Sequence, residues 1–219
     1  MDYKLKFKII IVNSFFYNFY SVFKDSIQWI VRGYSANSPT YIKRAQLIKH
    51  SLHNSIWIET GTYLGQTAKF LRKFSTQIYT IEPDIDLFKS VKKYLNKYKN
   101  IIVINATSEK ALEKLLSKKI KKNVNFFLDA HNVSNNSTKT YQSSISNPIL
   151  NELKIIKKNI NNLKDFVIFI DDLNWHEIDF VKTKKKTTTR LNQIIDWCKI
   201  NNLTWTISHN MMICKKYKY

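Results

Sequence analysis

The sequence predicts an α/β fold: a mostly parallel seven-stranded sheet with helices on both faces and an antiparallel strand at its C-terminal end. Three observations carry that expectation. From residue 41 onward, short apolar runs alternate with segments whose apolar residues recur every three or four positions, the pattern of a parallel sheet covered by helices. Two of the runs, Val124-Asn125-Phe126-Phe127-Leu128 and Phe166-Val167-Ile168-Phe169-Ile170, are apolar almost throughout, as strands buried on both faces must be. The chain also holds only three glycines, and two of them, Gly61 and Gly65, stand between the first strand and the helix that follows it.

A length of 219 residues suits one α/β domain with a short extension, and 44% hydrophobic residues argue for a globular chain. The expected division is 1–38, an N-terminal amphipathic helix and connector, and 39–219, the domain proper. Thirty-six basic against sixteen acidic residues give a net charge of +20, which favours nucleic acid, anionic lipid or acidic glycan partners. The lysines are scattered, however. Groups such as Lys92-Lys93, Lys118-Lys119, Lys157-Lys158 and Lys184-Lys185-Lys186 fall on outer helix faces or loops, as a solvated surface does. Cys198 and Cys214 have neither metal-ligand nor redox spacing and read as small buried apolar residues in a reducing compartment, which suits a cytoplasmic protein.

Taken in order, the elements begin with Ile9 to Val31. Val12, Phe15, Phe16, Phe19, Val22, Phe23, Ile27 and Ile30 recur at spacings of three and four, opposite Ser14, Asn18, Ser21, Asp25 and Gln28, so one amphipathic helix is predicted. Asn13, Asn18, Lys24, Asp25 and Gln28 interrupt it too often for a membrane span, and no small-residue cleavage site marks a signal peptide. At this level the apolar face has four open destinations: its own domain, a second subunit in a homo-oligomer, a membrane surface, or a true membrane anchor. A connector with Pro39 leads to a helix over 41–53. Strands are then predicted at 55–59, 77–82, 101–105, 124–129 and 165–171, separated by helices at 64–74, 84–98, 108–117 and 147–161. A helix over 188–201 and two strands near 203–208 and 211–215 complete the chain.

The strand ends carry the chemistry. Glu59 closes the first strand, and Gly61 lets a ligand approach the backbone of Glu59-Thr60-Gly61-Thr62-Tyr63-Leu64-Gly65. Two glycines at this spacing are also compatible with a plain strand-to-helix turn. The second strand, Ile78-Tyr79-Thr80-Ile81, ends in Glu82, placed to accept hydrogen bonds from both hydroxyls of a ribose; a helix-start charge is its structural alternative. Asp129 ends the fourth strand and Asp171-Asp172 the fifth, at the edge where open α/β sheets bind ligands.

With these residues, the sequence resembles the class I S-adenosylmethionine-dependent methyltransferases. The resemblance rests on Ile58 to Gly65, Tyr79-Thr80-Ile81-Glu82, Phe127-Leu128-Asp129-Ala130-His131, Asn147 to Leu153 and Phe169-Ile170-Asp171-Asp172, and covers roughly residues 39 to 215. It implies a Rossmann-like fold, S-adenosylmethionine as cofactor, Glu59, Gly61 and Gly65 along its methionine part, Glu82 on its ribose, Thr107 and Ser108 beside its adenine, and Thr62, Tyr63 and Asp129 as further cofactor-binding residues. Two positions depart from the family pattern: Tyr63 stands where many members carry a glycine, and Ala106 and Thr107 stand where an acid often follows the third strand.

Asp129, Asp171 and Asp172 together make an oxygen-rich group suited to Mg²⁺ or another divalent cation, and the chain is similar to metal-dependent O-methyltransferases in placing acids after both strands. The structural alternative is that Asp172 caps a following turn and Asp171 holds a neighbouring helix. Asp129 and His131 are the candidate catalytic residues, His131 as a base near neutrality, with His176 a weaker candidate. The polar segment from Asn132 to Ser146 suits an acceptor-binding loop. The leading expectation is O-methylation of a sugar or other small hydroxylated acceptor, since related sequences are associated with glycan modification. A nucleic-acid methyltransferase and a non-catalytic membrane-associated module on the same fold are the alternatives.

Overall fold

The computed structural model describes residues 3–34, 38–129, 148–174, 180–182 and 187–216. Strands β1 (Ser55–Thr60), β2 (Gln77–Ile81), β3 (Ile101–Ile104), β4 (Asn123–Leu128), β5 (Phe166–Ile170), β8 (Leu203–Ser208) and β9 (Met211–Lys216) form a 7-stranded sheet in the order β3-β2-β1-β4-β5-β9-β8. The pairs from β3 to β5 are parallel, and β9 enters antiparallel to both β5 and β8. This is the architecture expected from the alternation of runs.

Helices α3 (Thr40–His50), α4 (Gln66–Leu71), α5 (Ile85–Leu95), α6 (Ser108–Leu116), α7 (Ile149–Lys158) and α8 (Arg190–Ile200) divide between the faces. Successive strand residues point to opposite faces, so each strand feeds two cores. Ile58, Phe126 and Ile168 pack with Leu112 of α6, Leu153 of α7 and Ile194 of α8. Trp57, Phe127 and Phe169 pack with Leu47 of α3, Ala68 of α4 and Val91 of α5. Trp57 stacks on Phe169 with ring centroids 5.5 Å apart. Cys198 and Cys214 are both buried, as expected, and their Sγ atoms meet at 3.4 Å.

The single helix predicted over 9–31 is two helices, α1 (Tyr3–Val12) and α2 (Phe15–Val31). Apolar spacing runs on across the break, but local polar bonds make the corner. Ser14 Oγ accepts the backbone N–H of Tyr17, capping α2. Buried Asn13 donates from Nδ2 to the carbonyls of Ile9 and Leu64, 2.9 Å each. Ile9 and Val12 join the core beside α5, so α1 packs on the domain, whereas α2 buries no residue. Among the described residues no helix is long and apolar enough to cross a membrane.

A further strand pair, β6 (Phe180–Lys182) with β7 (Thr187–Thr189), was not predicted. It shortens the helix expected from 188: Thr189 instead caps α8, its Oγ1 accepting from the Asn192 N–H at 3.2 Å.

Candidate functional site

The loop after β1 is shaped by three left-handed residues, Gly61 (φ +89°), Tyr63 (φ +45°) and Gly65 (φ +74°). The N–H groups of Gly61 and Thr62 both reach the Ile81 carbonyl, at 3.0 and 3.1 Å, and that of Tyr63 reaches Glu82 Oε2 at 2.9 Å. The loop therefore lies over the end of β2. Gly65 makes room for a helix instead. A Cβ there would come within 2.8 Å of Val91 and 3.1 Å of Leu95, so its missing side chain lets α5 pack against the start of α4. Gly65 supports the loop from behind and is not among the residues that line the cavity below.

Glu82 is buried at the tip of β2 and accepts a second backbone bond, from Asp84 N–H to Oε1 at 3.1 Å. Burial pushes its carboxyl up to about 7, against the lowering effect of the two backbone bonds. Asn105, past the end of β3, donates from Nδ2 to the carbonyls of Glu82 and Pro83 and holds the two strand tips together. Thr107 and Ser108 follow at the start of α6, where Ser108 is buried with its Oγ 3.4 Å from Glu109 Oε2.

Glu59 sits beneath this layer. It is only 1% exposed and accepts from Thr80 Oγ1, its register neighbour on β2, which in turn meets Thr62 Oγ1 at 2.6 Å. Burial, with Asp129 and Glu82 nearby, raises its carboxyl to about 8 despite the Thr80 bond, so Glu59 is mainly uncharged at neutral pH. It buttresses the loop and does not line the cavity.

Asp129 and Asp171 continue the sheet ladder past β4 and β5: Asp129 N–H donates to the Thr60 carbonyl and Asp171 N–H to the Leu128 carbonyl, 3.1 Å each. Both carboxyls thus reach one sheet edge, where a cavity of about 240 Å³ is lined by Gly61, Tyr63, Asp129, Asp171 and, from α3, Lys43 and Arg44. Lys43 Nζ bonds Asp171 Oδ1 at 2.6 Å and Asp172 Oδ1 at 3.1 Å. Burial would lower the Lys43 ammonium, but the two carboxylates raise it above its ordinary value. Burial and the nearby Asp129 charge raise Asp171 to about 6, with Lys43 pulling the other way.

No protein-family model matches the chain, and no curated protein matches it. Solved structures do. A protein from Streptococcus mutans designated a methyltransferase, in complex with SAH, aligns over 83% of this chain and 99% of its own at 16% identity and a TM-score of 0.52. Precorrin-6y C5,15-methyltransferase from Geobacter metallireducens aligns over 83% and 91% at 10% identity, with a TM-score of 0.52. A Staphylococcus aureus protein designated a caffeoyl-CoA O-methyltransferase aligns over 91% and 99% at 16% identity, with a TM-score of 0.51. The chain shares the Rossmann-like fold of these methyltransferases. Within this methyltransferase fold, Gly61, Thr62, Tyr63, Asp129 and Asp171 line the cavity, and Glu82 is bonded directly to the loop that forms its wall.

The divalent-cation site expected at Asp129, Asp171 and Asp172 is corrected by Lys43. Its ammonium already lies between Asp171 and Asp172, and no three acidic, histidine or cysteine side chains group to hold a metal among the described residues. Asp172, at a left-handed φ of +53°, is not among the residues that line the cavity and also meets Asn210 Nδ2 at 3.4 Å. The donor set does not fit Mg²⁺. Sequence reasoning missed Lys43 because nothing local separates it from the other basic residues of the chain. His131, His176 and the polar segment 132–146 lie outside the described residues.

The same fold holds a second cavity. About 160 Å³ lies between α2 and α3, lined among others by Tyr17, Ser21, Asp25 and Tyr41. It shares Thr40, Arg44 and Gln66 with the first. The α1–α2 corner is also bonded to the glycine loop: Lys8 Nζ donates to Tyr63 Oη at 3.3 Å, and Gln66 Nε2 to the Val12 carbonyl at 2.7 Å.

Proposed function

We propose that this chain is an S-adenosylmethionine-dependent methyltransferase that methylates an oxygen of a sugar or other small hydroxylated acceptor. The observation that carries the cofactor assignment is Glu82, a buried carboxylate at the tip of β2 whose two oxygens each accept one backbone N–H. A carboxylate oxygen has capacity for a further bond, so both can also accept from a ribose diol. The strand order and the neighbour that carries SAH support the same reading.

Bound there, the cofactor supplies an electrophilic methyl group on a sulfonium. The chain's residues align and deprotonate. Gly61 leaves the backbone open on the cavity side, Glu82 fixes the ribose, and Asp129 at the cavity edge accepts the proton of the acceptor hydroxyl, with His131 as a second candidate base. Lys43 holds Asp171 and Asp172 in place along the same sheet edge.

The net charge of +20 favours a second reading, with nucleic acid as acceptor. Titration calorimetry with S-adenosylmethionine and S-adenosylhomocysteine tests the shared cofactor assignment, and no heat at millimolar ligand would remove both readings. Labelled cofactor offered with nucleotide sugars, lipid-linked glycans or RNA then separates them: label in RNA alone would overturn the sugar assignment.

A further inference from the structure

We propose that the outer faces of α1 and α2 form a docking surface for an anionic membrane. Helix α2 is mounted with its amphipathicity inverted. Its side with Asn18, Ser21 and Asp25 faces the body across the cavity against α3, flanked there by Val22 and Lys24. Its apolar side faces outward: Phe16 is 84% exposed, Phe15 79% and Phe19 72%, with Phe23, Ile30 and Val31 on the same arc. A water-facing helix has the opposite arrangement. Helix α1 also exposes apolar side chains, Tyr3, Phe7 and Ile10, on the side opposite the core residues Ile9 and Val12. Scattered exposed apolar residues are ordinary, but a row of exposed aromatic side chains along one helix arc, with more on the adjoining helix, marks an interaction site.

Charge identifies the occupant. Across 3–34 the basic residues are Lys4, Lys6, Lys8, Lys24 and Arg32, whereas Asp25 is the acid, and it lines the inner cavity. The helical period puts Lys4 and Lys8 on one border of the exposed α1 arc, where Lys8 also bonds Tyr63 Oη, and Lys6 on the other, with Lys24 at the edge between the α2 arc and the inner cavity that it also lines. Lysines so placed lay their stems along the apolar edge and reach lipid phosphates with their ammonium groups. A second copy fits less well, because a two-fold interface would bring these cations toward their own counterparts. Neither helix is long and apolar enough to span, so the pair lies in the headgroup boundary.

Flotation with vesicles tests this without any cofactor, so its failure would leave the methyl-transfer reading untouched. The full chain should float with vesicles of equal parts phosphatidylglycerol and phosphatidylcholine, and much less with phosphatidylcholine alone or at high salt. Phe16→Ser/Phe19→Ser/Phe23→Ser should reduce bound fraction by about tenfold or more while thermal unfolding stays cooperative, since all three side chains are exposed. Lys6→Glu/Lys24→Glu should abolish the preference for anionic vesicles. Equal flotation of the triple variant, or a wild-type chain that stays in the soluble fraction, would overturn the proposal. A concentration-dependent dimer that the triple variant abolishes, without vesicle binding, would assign the face to a second copy instead.

Discussion

The backbone N–H of Tyr63 donates to Oε2 of Glu82 across 2.9 Å and joins the loop after β1 to the tip of β2. Tyr63 holds a left-handed φ of +45°, a conformation that non-glycine residues seldom adopt, and the bond helps to keep it there. A residue that departs from the glycine pattern of the resembling family is thus fixed by the same carboxylate that would hold the ribose.

Replacing Glu82 with Ala removes that anchor and the proposed ribose acceptor together. Hydrogen bonds to a charged group are worth about 1.5–3 kcal/mol, so affinity for S-adenosylhomocysteine should fall by roughly tenfold to a hundredfold. Glu82→Gln keeps one carbonyl oxygen and should fall less. Calorimetry at neutral pH measures both, and wild-type affinity in Glu82→Ala would remove the ribose assignment.

Protonation gives a sign that can be checked. Ribose hydroxyls are better accepted by ionised Glu82, whose carboxyl titrates at about 7, so affinity for S-adenosylhomocysteine should rise from pH 6 to pH 8. Stability of the unliganded chain runs the other way. Glu59, Glu82 and Asp171 are raised to about 8, 7 and 6, so the folded state holds more protons than the unfolded one above the ordinary carboxyl range. Their contribution is fully present below about pH 4 and is lost as pH rises through those values. Melting temperatures across this range should show the decline, and Glu59→Gln, neutral at every pH, should flatten its alkaline part. A decline as steep in Glu59→Gln as in the wild type would place the effect elsewhere.

Gly65→Ala should destabilise the fold by about 1–3 kcal/mol, since the added methyl meets Val91 at 2.8 Å and φ is +74°. Gly33 also has a positive φ, of +62°, but nothing lies within 4 Å of an added Cβ. Gly33→Ala should therefore cost only the backbone strain, roughly 1 kcal/mol. Equal denaturation midpoints for the two variants would refute the packing role of Gly65.

Lys43→Met leaves Asp171 and Asp172 without their ammonium. Breaking a buried ion pair costs about 3–5 kcal/mol, and partial exposure of Lys43 and Asp172 places this one at the lower end or below. The loss should shrink at pH 5, where Asp171, at about 6, is already mostly protonated. Millimolar Mg²⁺ should leave the wild-type melting temperature unchanged, and a clear rise would restore the cation site that Lys43 displaces.

Local pattern was enough for the centre of the sheet. Phe166 to Ile170 reads as a central strand because its five successive apolar residues, in alternation with helical segments, suit burial on both faces, and the acids at its end and at the end of β4 fall on one sheet edge for the same topological reason. The helix break at Asn13-Ser14 was hidden because the apolar spacing continues through it, and because Asn13 finds its second acceptor at Leu64.

By itself, then, the sequence determined the layered fold, the glycine turn after β1 and the acids at three strand tips, since each follows from local periodicity or from position at a strand end. Only the tertiary structure decided what those groups meet. Lys43 reaches Asp171 from 128 residues away, α5 claims the space beside Gly65, and α2 turns its phenylalanines outward. Such contacts depend on which elements the folded chain brings together, and no spacing along the chain encodes that distance.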